Sequence, residues 1–293
     1  MSSKTVKLTF VLTFLLLIQS KNWSQEEESI SDIISRYFNT EENVNIPLLE
    51  ISYGPEWLSF YSDFGSSFEG NYSTEIQYGF FRYDKRLSKN GLLYFSSERA
   101  FFGNSSSRFK PSSVSDFTIK TELYRYGGTY YNGFGLGEEK GNKFLFSHSS
   151  SIMQVQSDIE NFTYSDQDNR LLYEFETETN FGMAYSSGLM YVLGEGVTSL
   201  ELKYQHNVVW TNFQFVEWSG SWIIENLLQR TPDLFHEYFI SQFGAYYPLI
   251  YHLYKTSISY LIYEQRSKNS YWPFKGSEVL TQRGIKLGVK FAL

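Results

Sequence analysis

The sequence predicts an all-β fold, an antiparallel barrel that crosses a membrane, on three observations. The first is the run 285–293, I-K-L-G-V-K-F-A-L. Ile285, Leu287, Val289, Phe291 and Leu293 fall on one face of an extended strand there, with Lys286, Gly288, Lys290 and Ala292 on the other. Strict alternation of this kind fits a strand with oil on one side and a polar medium on the other. The two lysines call for a wet face, because a charge is costly in a dry core. The second is the aromatic share, 19%, with 26 Phe and 24 Tyr spread along the chain. A membrane barrel uses such rings as two girdles where acyl chains meet headgroups. The third is that no run beyond residue 25 is apolar enough for a crossing helix. The richest, 242–263, is broken by Pro248, His252 and Lys255.

The run 285–293 also resembles the terminal strand of bacterial outer-membrane β-barrel proteins. Such chains commonly end in an alternating strand with an aromatic residue at or near the end, which the assembly machinery reads as a barrel signal. Here Phe291 is third from the end, and Leu293 stands where Phe is usual. The resemblance covers the broad class, in a Gram-negative bacterium of Bacteroidota type. It implies an outer-membrane location, with outer-membrane lipid and the barrel assembly machinery as partners. It also implies an insertion signal carried by Ile285, Leu287, Val289, Phe291 and Leu293.

In chain order, residues 1–24 have the layout of a cleaved secretory signal peptide. Lys4 and Lys7 lead, an apolar run follows over 8–18, and Ser24 precedes the cut. Segment 25–46 predicts a short amphipathic helix, with Glu26, Glu27 and Glu28 at its start and Ile30, Ile33, Ile34 and Tyr37 on one stripe. It reads as a periplasmic or plug segment. Residues 47–293 form the barrel.

Strands are expected at 47–53, 57–64, 72–83 and 92–102, with a turn at Gly54-Pro55. Further strands are expected at 116–126 and 130–136, separated by a turn at Gly127-Gly128, and at 143–153, 171–177 and 181–193. The longest alternating run is 198–215, with Leu200, Leu202, Tyr204, His206, Val208 and Trp210 opposite Glu201, Lys203, Gln205 and Asn207. The period changes near 221–243, where Trp222, Ile223, Leu227, Leu234, Phe235 and Tyr238 follow helical spacing, with Pro232 suited to a helix start. This helical insertion reads as a plug, an interfacial helix or a docking surface for another envelope protein. Strand patterning resumes at 246–254 and 256–265. Allowing roughly 20 residues per strand with its share of loop predicts twelve strands, with ten as the alternative.

The formal net charge is −7, with no basic run, so nucleic acid is not an expected partner. There are no cysteines and four histidines, none of them spaced to share a metal, so neither metal nor cofactor is expected. His148 and Ser150, in F-L-F-S-H-S-S-S-I, share an outward strand face and resemble the H-x-S pair of outer-membrane lipid hydrolases, phospholipase A and lipid A deacylase. That resemblance implies a base and a nucleophile for ester attack. The family's following Asn is Ser151 here, and no orienting residue can be assigned. The leading expectation is therefore a non-enzymatic, porin-like outer-membrane protein: a narrow or plugged channel, or an envelope scaffold. A lipid hydrolase and a soluble secreted β-sandwich binder are the alternatives.

Overall fold

The computed structural model describes residues 45–60, 64, 67–84, 91–109, 118–137, 141–160, 166–177, 179–194, 196–276 and 278–293. The predicted leader at 1–24, and the predicted helix within 25–46, lie outside these residues up to position 44.

Eight strands close into one ring. They are β1 (Ile46–Phe60), β3 (Asn71–Tyr83), β4 (Leu92–Ser106), β5 (Thr118–Gly137), β6 (Lys143–Glu160), β7 (Asn180–Leu193), β8 (Thr198–Trp210) and β9 (Val279–Ala292). A two-residue strand, β2 (Ser67–Phe68), pairs in parallel with β5 outside the ring. Each ring strand is antiparallel to its neighbours, and β9 lies between β1 and β8, so the sheet has no free edge among these eight. One closed sheet excludes the two-sheet sandwich.

The predicted twelve strands are corrected to eight, for two physical reasons. First, the strands are long, from 13 to 20 residues, and two predicted turns lie inside them. Gly54-Pro55 is mid-β1: a Cβ on Gly54 would sit 1.8 Å from the Ile285 carbonyl oxygen, so glycine is there for close approach. Proline has no N–H to give, and the β1–β9 pairing lapses between Tyr53↔Leu287 and Glu56↔Gly284 before resuming in register. Gly127 is likewise mid-β5, where a Cβ would meet the Ile152 oxygen at 2.0 Å.

Second, among the described residues two helices take up sequence assigned to strands. Segment 171–177 belongs to α1 (Asp166–Thr177). The insertion predicted at 221–243 runs from α2 (Phe215–Leu234) through α3 (His236–Phe243) to α4 (Tyr247–Asn269), so 246–254 and 256–265 are helical. Pro248 stands in the first turn of α4, where its missing N–H costs nothing.

The connections at 84–91, 138–142 and 194–197 are short, and those at 61–70, 107–117, 161–179 and 211–278 are long. The barrel thus has a short-turn end and a long-loop end.

Candidate functional site

Alternation along each strand sends one set of side chains inward, and these meet across the ring. Lys203 on β8 donates to Glu50 on β1 at 2.6 Å, and Lys286 on β9 to Glu75 on β3 at 2.8 Å. Arg125 on β5 reaches Glu56 on β1 at 2.6 Å, and Lys290 pairs with Glu201 at 2.9 Å. Arg99 bonds Glu50 and lies 4.0 Å above the Tyr131 ring. Glu50, Glu56, Glu75 and Glu201 therefore face Arg99, Arg125, Lys203, Lys286 and Lys290, every one of them buried. The wet face expected for Lys286 and Lys290 is corrected: they are 0% and 1% exposed, and carboxylates take the place of water.

Apolar layers shut both ends of this charged middle. Leu48, Phe81, Phe95, Leu145, Met190 and Val192 pack together toward the short turns. At the long-loop end Leu58, Phe60, Phe101, Leu123, Val155 and Leu280 pack together with Leu172 and Phe175 of α1. Beside Glu75, a void lined also by Gln77, Tyr131, Ser149 and Gln205 measures about 10 Å³, room for roughly one water. Eight strands leave an interior just wide enough for side chains, and here they fill it.

The outer wall has two characters. On β1, β3 and β9 it is oily: Ile51, Ile76, Ile285 and Leu287 are 44–59% exposed. Exposed rings stand toward the short turns (Phe80, Phe144, Tyr191, Phe291) and toward the long loops (Trp57, Phe102). On β6 to β8 the outward positions include His148, Ser187 and His206, and α4 packs over them. His148 Nε2 and Ser259 Oγ are 2.8 Å apart, Ser187 lies 2.6 Å from Thr256 Oγ1 and 3.2 Å from His252 Nε2, and His206 is ringed by Tyr185, Tyr204 and Tyr263 within 5.1 Å. Farther down, Tyr247 and Tyr251 meet Phe134 of β5 edge to face. Polar contacts also join α2 to α4. Arg266 binds Glu225 at 2.7 Å and Ser221 at 3.0 Å, while Lys255 and the Tyr251 hydroxyl both bind Asp233, at 3.0 and 2.6 Å.

The residues singled out from sequence are therefore placed as follows. Ile285, Leu287, Val289 and Phe291 share the outward face of β9, the strand that joins β8 to β1. His148 and Ser150 share an outward face of β6, but α4 covers that face, and the serine that meets His148 is Ser259 of α4, at 2.8 Å, not Ser150; a second serine–imidazole contact joins Ser187 to His252 at 3.2 Å. Trp222, Ile223, Leu227, Leu234, Phe235 and Tyr238 are 39–76% exposed on the outer side of the helices. The insertion stands against the outside of the wall, and strand side chains fill the lumen, so the plug reading does not describe it. Sequence reasoning missed Glu50, Glu56, Glu75, Arg99 and Arg125. Their signal was present: each is a charge between outward neighbours in an alternating run.

No family model matches the chain, and no curated protein matches it. Among solved structures, the crystal structure of Neisserial surface protein A (NspA) is similar over 86% of this chain and 100% of that one, at 11% identity and a TM-score of 0.38. The crystal structure of Ail, the attachment invasion locus protein of Yersinia pestis, is similar over 84% and 99%, at 8% identity and a TM-score of 0.30. The same figures hold for Ail in complex with the heparin analogue sucrose octasulfate. The fold assignment rests on the chain's own strand pairing: a closed, eight-stranded antiparallel β-barrel.

Proposed function

We propose that the chain is an integral outer-membrane protein, sealed by its own side chains, that acts as an envelope scaffold displaying its long loops. The observation that carries this reading is the pairing of an oily outer belt with an ion-paired, filled lumen. Apolar surface of that extent is costly in water and favourable in a bilayer, and a closed sheet has no open edge to leave unpaired there. A lumen void of about 10 Å³ gives solute no path, so the scaffold is favoured over the channel. Outer-membrane barrels have short periplasmic turns and longer outer loops, which assigns the long-loop end to the exterior. In this reading 1–24 directs export, and β9 carries the signal to the assembly machinery. Lipid surrounds the bare strands, and an envelope protein partner would meet the long loops.

An acyl-hydrolase reading gains less. Ser187 and His252 are within reach, but Nδ1 of His252 has no hydrogen-bond partner among the described residues, so no carboxylate orients the ring. The N–H groups of β7 are engaged in its ladders and form no oxyanion hole.

The test is fractionation with planar-bilayer recording. The expected result is heat-modifiable protein in the outer-membrane fraction, lost when 285–293 is deleted, with no steady conductance after reconstitution. Recovery as a dissolved monomer without detergent overturns the membrane reading. Reproducible single-channel steps overturn the sealed scaffold.

A further inference from the structure

The pair α2 and α4 carries its polarity inside out. Toward each other and the barrel wall the helices turn Ser221, Glu225, Lys255, Ser259 and Arg266, all 8% exposed or less and hydrogen-bonded. Away from the wall they turn Ile223, Leu227, Leu234, Leu253 and Leu261, which are 52–76% exposed. A helix pair in water shows the reverse arrangement.

We propose that the outward face of this helical hairpin lies in the hydrocarbon of the same bilayer the strands cross, so that eight strands and a two-helix strap together form the membrane-embedded unit. The inference rests on the membrane reading above and assigns the occupant of the helix face as lipid acyl chains. Four features of the chain support that occupant.

The first is continuity. A groove of about 390 Å³ runs where α4 meets the wall, lined by Leu189, Leu202 and Ile285 of the oily belt, with His252 and Ser187 at its polar corner. The helix face and the strand belt therefore make one oily surface.

The second is length. With 20 and 23 residues, α2 and α4 extend about 30 and 35 Å at ~1.5 Å per residue, enough for an apolar band of about 25 Å. Contacts of α4 run from His206 and Tyr263, near the long loops, to Phe134 and Tyr247, near the short turns.

The third is the position of outward charge. Arg230 and Lys268 are exposed, and each lies within about a turn of a helix end, where a long side chain reaches headgroups. Between them the exposed face of α4 reads Leu249, Leu253, Ser257, Tyr260 and Leu261.

The fourth is what the polar stripe does. No described helix is long and apolar enough to cross a membrane alone. These two need not be, because their polar halves bond to each other and to His148 and Ser187 on the wall, with Glu225, Lys255 and Arg266 buried between them.

The chain has no cysteine, so single cysteines can be placed and labelled with an environment-sensitive nitrobenzoxadiazole dye. Four full-length variants are reconstituted into phosphatidylcholine vesicles with or without acyl-brominated phosphatidylcholine: Leu227→Cys and Leu253→Cys on the hairpin, Leu287→Cys on the bare belt, and Lys275→Cys beyond α4. All four positions are exposed, and heat-modifiable migration reports that each variant has folded. The expected result is quenching at Leu227 and Leu253 within about twofold of that at Leu287, with none at Lys275. Quenching at Leu287 alone, with Leu227 and Leu253 open to a membrane-impermeant maleimide, overturns the inference and leaves the barrel reading standing. Protection of Leu227 and Leu253 from both reagents, with cross-linking between copies, also overturns it and makes the hairpin a subunit interface. No quenching at Leu287 removes the membrane reading itself, and the inference with it.

Discussion

The bare arc of the barrel, β9, β1 and β3, and the covered arc, β6 to β8, are built on one backbone plan and differ in what their outward positions carry. The bare arc presents Ile51, Ile76 and Leu287 at mid-wall, with its outward charges, Arg82 and Arg283, toward the two ends of the wall and paired with Glu98 and Glu264. The covered arc also has inward charges, Lys203 and Glu201, yet presents His148, Ser187 and His206 on its outer face beneath α4. At mid-wall the outward polar residues His148, Ser187 and His206 lie beneath a helix, and the outward aliphatic residues Ile51, Ile76 and Leu287 do not. Both arcs bury ion pairs, but in different roles. The lumenal pairs hold strands far apart in sequence to one another, whereas Glu225–Arg266 and Asp233–Lys255 hold one helix to the next.

The largest expected effect breaks the lumenal side of that contrast. Glu50→Ala removes the shared carboxylate of Lys203, Arg99 and Lys290 and leaves buried cations without it. Loss of one member of a buried pair costs about 3–5 kcal/mol, read as a lower midpoint in denaturant titration of the micelle-bound protein. A smaller effect follows Ile51→Arg on the bare wall, about 2–4 kcal/mol for a cation near the midplane, measured by the same titration in bilayers. On the covered arc, Glu225→Ala leaves Arg266 with Ser221 and costs roughly 1.5–3 kcal/mol. That loss should appear as faster proteolysis within 211–278, with the heat-modifiable barrel band unchanged. The smallest effect is expected for the double change Asp233→Leu with Lys255→Met. The Asp233 side chain is 32% exposed, and a partly solvated pair of this kind is worth about 0–1 kcal/mol. A loss as large as that of Glu50→Ala would erase the distinction between the two arcs.

The barrel class was legible in the sequence because strand alternation needs no distant partner to be seen. The longest run, 198–215, marks β8, and 285–293 marks the end of β9. Strand number was not legible. Gly54 and Gly127 have the composition of turns, and only the neighbouring backbones, 1.8 and 2.0 Å from a would-be Cβ, give them their purpose. Helix α4 was misread because its apolar residues were weighed alone. Its true period lies in the mixed set Tyr247, Tyr251, Lys255, Ser259, Ile262 and Arg266, all buried, at spacings of three and four. A helix whose buried stripe is partly charged hides from a search for oily stripes. The lumenal network is half visible in the sequence, since Lys286 and Lys290 alternate with apolar residues and call for a polar environment. Their carboxylate partners lie on other strands, and no local pattern joins them.

The partners in the lumenal lattice are 153 residues apart for Lys203 and Glu50, and 211 apart for Lys286 and Glu75. A contiguous piece of the strand ladder that lacks β9 leaves Glu75 without Lys286 and Glu201 without Lys290. A half-built wall would hold bare ammonium and carboxylate groups against hydrocarbon, at several kcal/mol each. On the membrane reading proposed above, entry into the bilayer is thereby tied to completion of the circle: β1, β3 and β8 must meet β9 before these charges can leave water.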